Sequence, residues 1–147
     1  MTPAYLHYKP EYFRPEEFLD RETYARIVKA GVNPWVLLDS RILFTADGIR
    51  DYFGVPVYLN NWVFGGDKQW RGLRNPKAPQ YSPTSQHSFG RAIDAHIKDM
   101  TAEEVRQAIL ARPNDSRFRF IMRLEGTVSW LHVDVANVPG RIVVFSP

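Results

Sequence analysis

The residue types best suited to chemistry in this chain are histidine and aspartate, and three of the four histidines fall in two short segments. The first segment, 85–97, reads SQHSFGRAIDAHI and carries His87 and Asp94. Strand alternation predicts that Asp94 and His96 point to one face while apolar residues fill the other. An aspartate inside an apolar strand is costly to bury unless a partner compensates its charge, and a divalent cation is such a partner. Gly90 lets the chain turn so that His87 folds back towards Asp94.

The second segment, 128–135, reads VSWLHVDV and places its tryptophan, His132 and Asp134 on one face of a strand. If the two strands are neighbours in a sheet, Asp94 and His132 stand side by side, with His87 over them. Two histidines and one carboxylate, with a fourth position open to water, are the usual ligands of a catalytic zinc ion. A lone strand histidine is more often a hydrogen-bonded core residue, but the two segments together favour a metal site.

The elements that must position these residues follow from hydrophobic periodicity and from turn residues. They are helices at 15–31, 33–53 and 101–113, strands at 55–59, 91–97, 118–124, 128–135 and 141–145, and a long loop at 60–84. Helices come first and strands later, which predicts an α+β fold with N-terminal helices packed on a small antiparallel sheet that carries the metal site. Long loops inside compact domains are usually functional.

Length and composition limit the alternatives. A chain of 147 residues with 44% apolar residues suits one domain, 1–147, with an irregular N-terminal arm at 1–14. Because the chain has no cysteine, a metal site needs histidine and carboxylate ligands. No apolar run suits a signal peptide or a membrane span, so we expect a protein that is cytoplasmic when made and not inserted in a membrane.

Basic residues are concentrated in the second half of the chain. Lys68, Arg71, Arg74, Lys77 and Arg91 follow one another without an intervening acidic residue. Such a run attracts an anionic partner, either nucleic acid or a cell-wall polymer, although an ordinary solvated loop has the same composition. Nucleic-acid binding is not expected, because no nucleic-acid-binding motif accompanies the charge.

The two motifs resemble a known family. The pattern SxHxxGxAxD at 85–94, followed by WxHxD at 130–134, is similar to that of the zinc D-alanyl-D-alanine carboxypeptidases. That family shares its fold with phage L-alanyl-D-glutamate endolysins and with the hedgehog signalling domain. The resemblance implies one zinc ion per chain, bound by His87, Asp94 and His132. It covers 71–134, nearly half of the chain.

The resemblance also implies an activity, which is cleavage of peptide bonds in bacterial peptidoglycan. Arg74 matches the arginine of a Gly-Tyr-Arg element that faces the substrate in the family, and it would bind a substrate carboxylate or the oxyanion. Ser85, Trp130 and Asp134 are expected beside the substrate. The absence of a signal peptide favours a phage or prophage enzyme that reaches the wall after release or as part of a virion. Endopeptidase and carboxypeptidase activities both remain open, as does the oligomeric state.

One position departs from the family pattern. The peptidases commonly carry a catalytic glutamate three residues before the second histidine, where this chain has Ser129. Glu125, seven residues before His132, is the candidate general base, and Asp134 is the alternative. The departure also favours a second hypothesis, in which the chain is a metal-stabilised binding or virion structural module of the same fold without hydrolytic activity.

Overall fold

The computed structural model describes residues 7–146. The α-helices are α1 Arg21–Lys29, α2 Ser40–Phe53 and α3 Ala102–Ala111. The strands are β1 Val57–Tyr58, β2 Ala92–Ile97, β3 Arg123–Glu125, β4 Leu131–Asp134 and β5 Val143–Phe145. Short 3-10 helices lie at Pro15–Glu17, Pro34–Leu37, Trp62–Phe64, Gln86–Phe89 and Ser116–Phe118. The α+β class predicted from the sequence is confirmed.

The five strands form one sheet in the order β1-β2-β4-β3-β5. β2 and β4 are antiparallel neighbours at its centre, and their register pairs Asp94 with His132. β3 pairs with β4 in antiparallel fashion and places Arg123 opposite Asp134. The strands that carry Asp94 and His132 therefore lie side by side, which is the arrangement that a shared site requires.

The sheet is mixed, so the prediction of a purely antiparallel sheet is wrong for β5, which pairs with β3 in parallel. The cause is topological. β5 follows β4 in the chain but pairs with the outer edge of β3, and it runs opposite to β4, as β3 does. A strand that runs opposite to β4 is parallel to β3. The strand predicted at 118–124 is also later and shorter, since Ser116–Phe118 is a 3-10 helix and β3 begins at Arg123.

Two predicted helices are each divided. Segment 15–31 holds a 3-10 turn and then α1, which starts afresh where the Asp20 carboxylate accepts a backbone N–H of the first turn. Segment 33–53 is divided in the same way at Asp39, the N-cap of α2. Gly54 ends α2 in the left-handed conformation, with φ of 67°, as the sequence predicted.

The irregular arm predicted at 1–14 lies partly outside the described residues, which begin at position 7. From 7 to 14 the chain forms neither α-helix nor strand. Asp47 on α2 holds it in place: its carboxylate accepts a hydrogen bond from the Tyr8 hydroxyl at 2.6 Å and bonds from two backbone N–H groups of the arm. The arm is thus fixed to the domain by polar contacts at one buried aspartate.

The hydrophobic core lies between the helices and one face of the sheet, and α2 and α3 both contact β2. Ile42 of α2, Ile93 of β2 and Leu131 of β4 are fully buried within it. Burial of this cluster leaves the opposite face of β2 and β4 for the polar residues of the site. Among residues 7–146, the helices are too short or too polar to cross a membrane.

Candidate metal centre and its cleft

His87, Asp94 and His132 come together as a buried cluster that could hold a metal ion. Only 2%, 8% and 6% of their respective surfaces are exposed. Asp94 Oδ1 lies 3.3 Å from His87 Nε2 and 3.0 Å from His132 Nδ1. A tetrahedral zinc ion with ligands at about 2.0–2.1 Å separates its ligand atoms by about 3.3 Å, so these two spacings suit a shared cation.

Each member of the cluster owes its position to a particular local structure. Asp94 and His132 occupy paired positions of β2 and β4. His87 lies in the 3-10 helix just before Gly90, which adopts a left-handed conformation with φ of 67°. A side chain at Gly90 would place a Cβ atom 2.6 Å from the carbonyl oxygen of Leu37. Gly90 therefore allows both the turn and the close packing that bring His87 over the strands.

The outer ring nitrogen of each histidine has a hydrogen-bond acceptor. His87 Nδ1 lies 2.8 Å from the Gly72 carbonyl oxygen, and His132 Nε2 lies 2.8 Å from Asp134 Oδ2. A neutral imidazole that donates from one nitrogen offers a lone pair on the other. His87 Nε2 and His132 Nδ1, which both face Asp94, are thus the nitrogens available for a metal. Histidine ligands in proteins nearly always have such an outer partner.

The surroundings of His132 favour positive charge. Burial alone would raise the pKa of Asp94, but hydrogen bonds with His132 and His87 hold that pKa well below its usual range. Burial alone would lower the pKa of His132, but hydrogen bonds with Asp134 and Asp94 raise it to about 9. For Asp134, burial is outweighed by hydrogen bonds with His132 and Arg123, which lower its pKa. The ionised carboxylates of Asp94 and Asp134 therefore lie at the two ring nitrogens of His132. They favour positive charge there, whether it is a proton on the ring or a metal cation beside it.

Arg74 contacts the oxygen of Asp94 that the histidines leave free. Its Nη2 donates to Asp94 Oδ2 at 2.6 Å, and its Nε donates to the carbonyl oxygen of Trp70 at 2.8 Å. The guanidinium group orients the carboxylate, so that Oδ1 faces the two imidazoles. Arg74 also lines the cleft above the cluster. The arginine selected from the sequence is thus joined to the metal cluster by a direct ion pair.

A cleft of about 700 Å³ opens over the cluster. Besides the three residues of the cluster, four predicted site residues line it: Arg74, Ser85, Glu125 and Trp130. Ser85 caps the 3-10 helix that carries His87, because its hydroxyl accepts the His87 backbone N–H at 3.3 Å. The Trp130 side chain is 38% exposed at the cleft and is available to a ligand. The cleft is large enough for a short peptide.

The two candidate bases lie on opposite sides of His132. Glu125 ends β3 and faces the cleft, with Oε2 3.8 Å from His132 Nδ1. Asp134 is fully buried and is bound to His132 Nε2 and, through both carboxylate oxygens, to Arg123. This position differs from the substrate contact predicted for Asp134, because a carboxylate with no exposed surface cannot meet a ligand in the cleft. We infer that Asp134 orients the imidazole ring of His132.

Two residues that support the site, Arg123 and Gly72, were not predicted from the sequence. Arg123 lines the cleft and holds Asp134, and its place in a strand beside the His132 strand was the signal that could have revealed it. Gly72 supplies the carbonyl group that orients His87, and a Cβ atom there would collide with the backbone of Phe18. Every residue has a main-chain carbonyl group, so the sequence does not show which one accepts a hydrogen bond. The only signal here is the glycine that the close packing requires.

Comparisons with protein-family models, with curated proteins and with solved structures found no match to this chain. The chemistry of the site itself is therefore what indicates a function. It consists of a buried cluster suited to a cation, the carboxylate of Glu125 and three arginines at its edge, and an open cleft above.

Proposed function

We propose that this chain is a zinc-dependent peptidase that cleaves peptide bonds in bacterial peptidoglycan. The observation that carries the proposal is the pair of buried imidazoles whose inner nitrogens face one oxygen of Asp94 at the base of an open cleft. Nitrogen and carboxylate ligands in this number, without cysteine, are those of catalytic zinc sites. Peptidoglycan as the substrate rests on the resemblance of the two sequence motifs to the zinc D-alanyl-D-alanine carboxypeptidases.

In this proposal His87, Asp94 and His132 hold one zinc ion per chain. Zinc bound there would supply Lewis acidity, which lowers the pKa of water and polarises a scissile carbonyl group. The chain keeps the ligands in place through their outer partners, which are Gly72 for His87 and Asp134 for His132. These partners accept from the outer nitrogens and so direct both inner nitrogens towards the proposed metal position.

Glu125 is the general base of the proposed reaction. Its carboxylate lies on the cleft side of His132, which is the side from which a substrate approaches. It would accept a proton from the attacking water and return it to the amine that leaves. The reaction is balanced, since the hydroxyl group joins the carbonyl carbon, the C–N bond breaks and the proton passes to nitrogen. Asp134 does not suit this role, because it is buried behind His132 and already bound there.

Arg74 would bind negative charge on the substrate. A planar, permanently charged guanidinium group suits a peptide carboxylate or the oxyanion that develops during attack. Lys68 and Arg71 also line the cleft and make its potential more positive. An anionic peptide is therefore the class of substrate that this cleft favours. A phage or prophage origin, with action on the wall after release or as part of a virion, agrees with the resemblance and forms part of the proposal.

The test combines metal analysis of the purified chain with digestion of purified peptidoglycan, with products identified by mass. We expect about one zinc per chain and release of peptide or alanine fragments, whose masses distinguish endopeptidase from carboxypeptidase cleavage. Glu125→Gln should abolish the products while zinc is retained, and Glu22→Gln, at an exposed glutamate paired with Lys77, should not. A chain that binds zinc but yields no product from any wall preparation would favour the non-catalytic module that Ser129 suggests.

A further inference from the structure

A buried arginine on α3 contacts the loop between β3 and β4 from below. Arg106 is 4% exposed, and its guanidinium group donates to three main-chain carbonyl groups. Nη1 contacts the carbonyl oxygens of Glu125 at 3.3 Å and Trp130 at 3.2 Å, and Nη2 contacts that of Val128 at 3.1 Å. Its Nε donates to the exposed carboxylate of Glu103 at 2.9 Å. One side chain thus joins the start, middle and end of this loop.

The loop needs outside contacts, because its own backbone does not hold its shape. No strand ladder includes residues 126–130. Thr127 has φ of 64°, a conformation that β-branched residues rarely adopt without support from their surroundings. Besides Arg106, one bond from the Gly126 N–H to the Phe145 carbonyl oxygen ties the loop to β5. The shape of the loop therefore depends on a few specific hydrogen bonds.

We infer that Arg106 is a positioning residue, which sets the geometry of the cleft by fixing the loop that joins Glu125, the last residue of β3, to Trp130. Both of these side chains line the cleft, and both carbonyl groups are bound by the same Arg106 nitrogen. None of the three metal-binding side chains lies on this loop. Arg106 should accordingly influence proton transfer and substrate binding without influencing the metal. Its effect on turnover rests on the function proposed above, whereas its effect on the loop does not.

Arginine suits this task better than any other residue. Its planar fork carries five N–H donors in fixed directions, so it can bond several carbonyl groups together, whereas lysine concentrates its donors on one nitrogen. Of the Arg106 nitrogens, only Nε donates to Glu103, which leaves both terminal nitrogens for the loop. Arg141 offers a matched comparison elsewhere, because it also donates to two main-chain carbonyl groups, those of Phe118 and Ile121.

The experiment compares Arg106→Lys and Arg106→Gln with Glu103→Gln and Arg141→Lys. The measurements are hydrogen exchange of the Gly126 amide, which is bonded to Phe145, together with zinc content, and kcat and KM on a soluble wall peptide. For either Arg106 variant we expect loop exchange to accelerate about tenfold or more and zinc content to stay unchanged. We expect kcat to fall about tenfold to a hundredfold, because small displacements of catalytic groups are this costly. Glu103→Gln and Arg141→Lys should leave the loop and kcat near the values of the unsubstituted chain.

Exchange of the Gly126 amide at the wild-type rate in both Arg106 variants would overturn the inference. So would an equal loss of kcat in Arg141→Lys, since the effect would then reflect general stability. The neutral glutamine variant tests the same contacts without burying a charge. If the unsubstituted chain cleaves no peptide, the proposed function fails, and the exchange comparison alone decides whether Arg106 fixes the loop.

Discussion

The two sides of the cleft are built differently. The metal wall, defined as His87, Asp94 and His132, is formed by paired strands and a capped 3-10 turn, and all three side chains are buried. The rim, defined as Arg74, Glu125 and Trp130, is formed by a long loop and by the β3–β4 connection, and it faces the open cleft.

The metal wall and the rim are held in place by different kinds of contact. A strand ladder pairs Asp94 with His132, a 3-10 helix holds His87, and each histidine has its own outer partner, so the three side chains are already arranged as a metal ion would require. The rim depends on single side-chain contacts, such as that of Arg74 with Asp94. Substitutions in the wall should therefore change metal binding, and substitutions in the rim should change turnover while metal is retained.

The largest effect is expected in the wall. Alanine at His87, Asp94 or His132 should reduce zinc from about one per chain to almost none, because a site with two protein ligands binds zinc weakly. His96→Ala is the matched control, since His96 lies on β2 and lines the same cleft but is not part of the cluster. Zinc content by elemental analysis checks both. Loss of zinc in His96→Ala but not in His87→Ala would contradict the ligand assignment.

The largest rim effect is expected at Glu125. Glu125→Gln keeps the shape of the side chain but removes its basicity, so turnover should fall at least about a hundredfold. Zinc content should stay the same, because Glu125 is not a member of the cluster. Steady-state kinetics together with metal analysis check this prediction. An active Glu125→Gln enzyme would show that the proton goes to another group.

Arg74 links the rim to the metal wall, because it lines the cleft and also binds Asp94. A hydrogen bond to a charged group contributes about 1.5–3 kcal/mol, so Arg74→Ala should reduce kcat/KM by about tenfold to a hundredfold. The three ligands remain, and we expect zinc to be retained. Unaltered kinetics would contradict the role of Arg74 and make Arg71 the next candidate.

The smallest effect is expected behind the wall. Asp134→Asn retains an oxygen that accepts from His132 Nε2 but loses the charge, so zinc affinity should fall about tenfold, at the low end for outer partners. Asp115→Asn is a matched control, because Asp115 also binds an arginine through both oxygens, far along the chain from the cluster. Competition with a chromophoric chelator measures both affinities. Equal affinities in the two variants would show that Asp134 does not support the metal.

The sequence could predict the metal wall because period-two alternation is a local property. It correctly placed Asp94 beside His132, and Gly90 marked the turn that carries His87. The α+β class and the helix end at Gly54 followed from similar local signals. A few residue types in fixed spacing therefore specified the part of the site that the strands build.

The remaining features depend on contacts between distant residues. The parallel pairing of β5 depends on which strand it joins and in which direction it runs, and local residue types encode neither. The division of two predicted helices depended on Asp20 and Asp39 acting as caps inside otherwise helical segments. The separation of Asp134 from the cleft depends on its own burial and on its ion pair with Arg123, which is not visible in the sequence. The sequence predicted Glu125 as the general base with Asp134 as the alternative, and the side of His132 on which each carboxylate lies also separates the two.

The most direct test of the central claim is a crystal structure of the zinc-loaded chain, with anomalous scattering measured at the zinc edge. We predict one strong anomalous peak, about 2.0–2.2 Å from His87 Nε2, Asp94 Oδ1 and His132 Nδ1. His132 Nε2 should remain bound to Asp134, and Glu125 should face the open side of the metal. A peak elsewhere in the molecule, coordination through His132 Nε2, or no peak at saturating zinc would contradict the account.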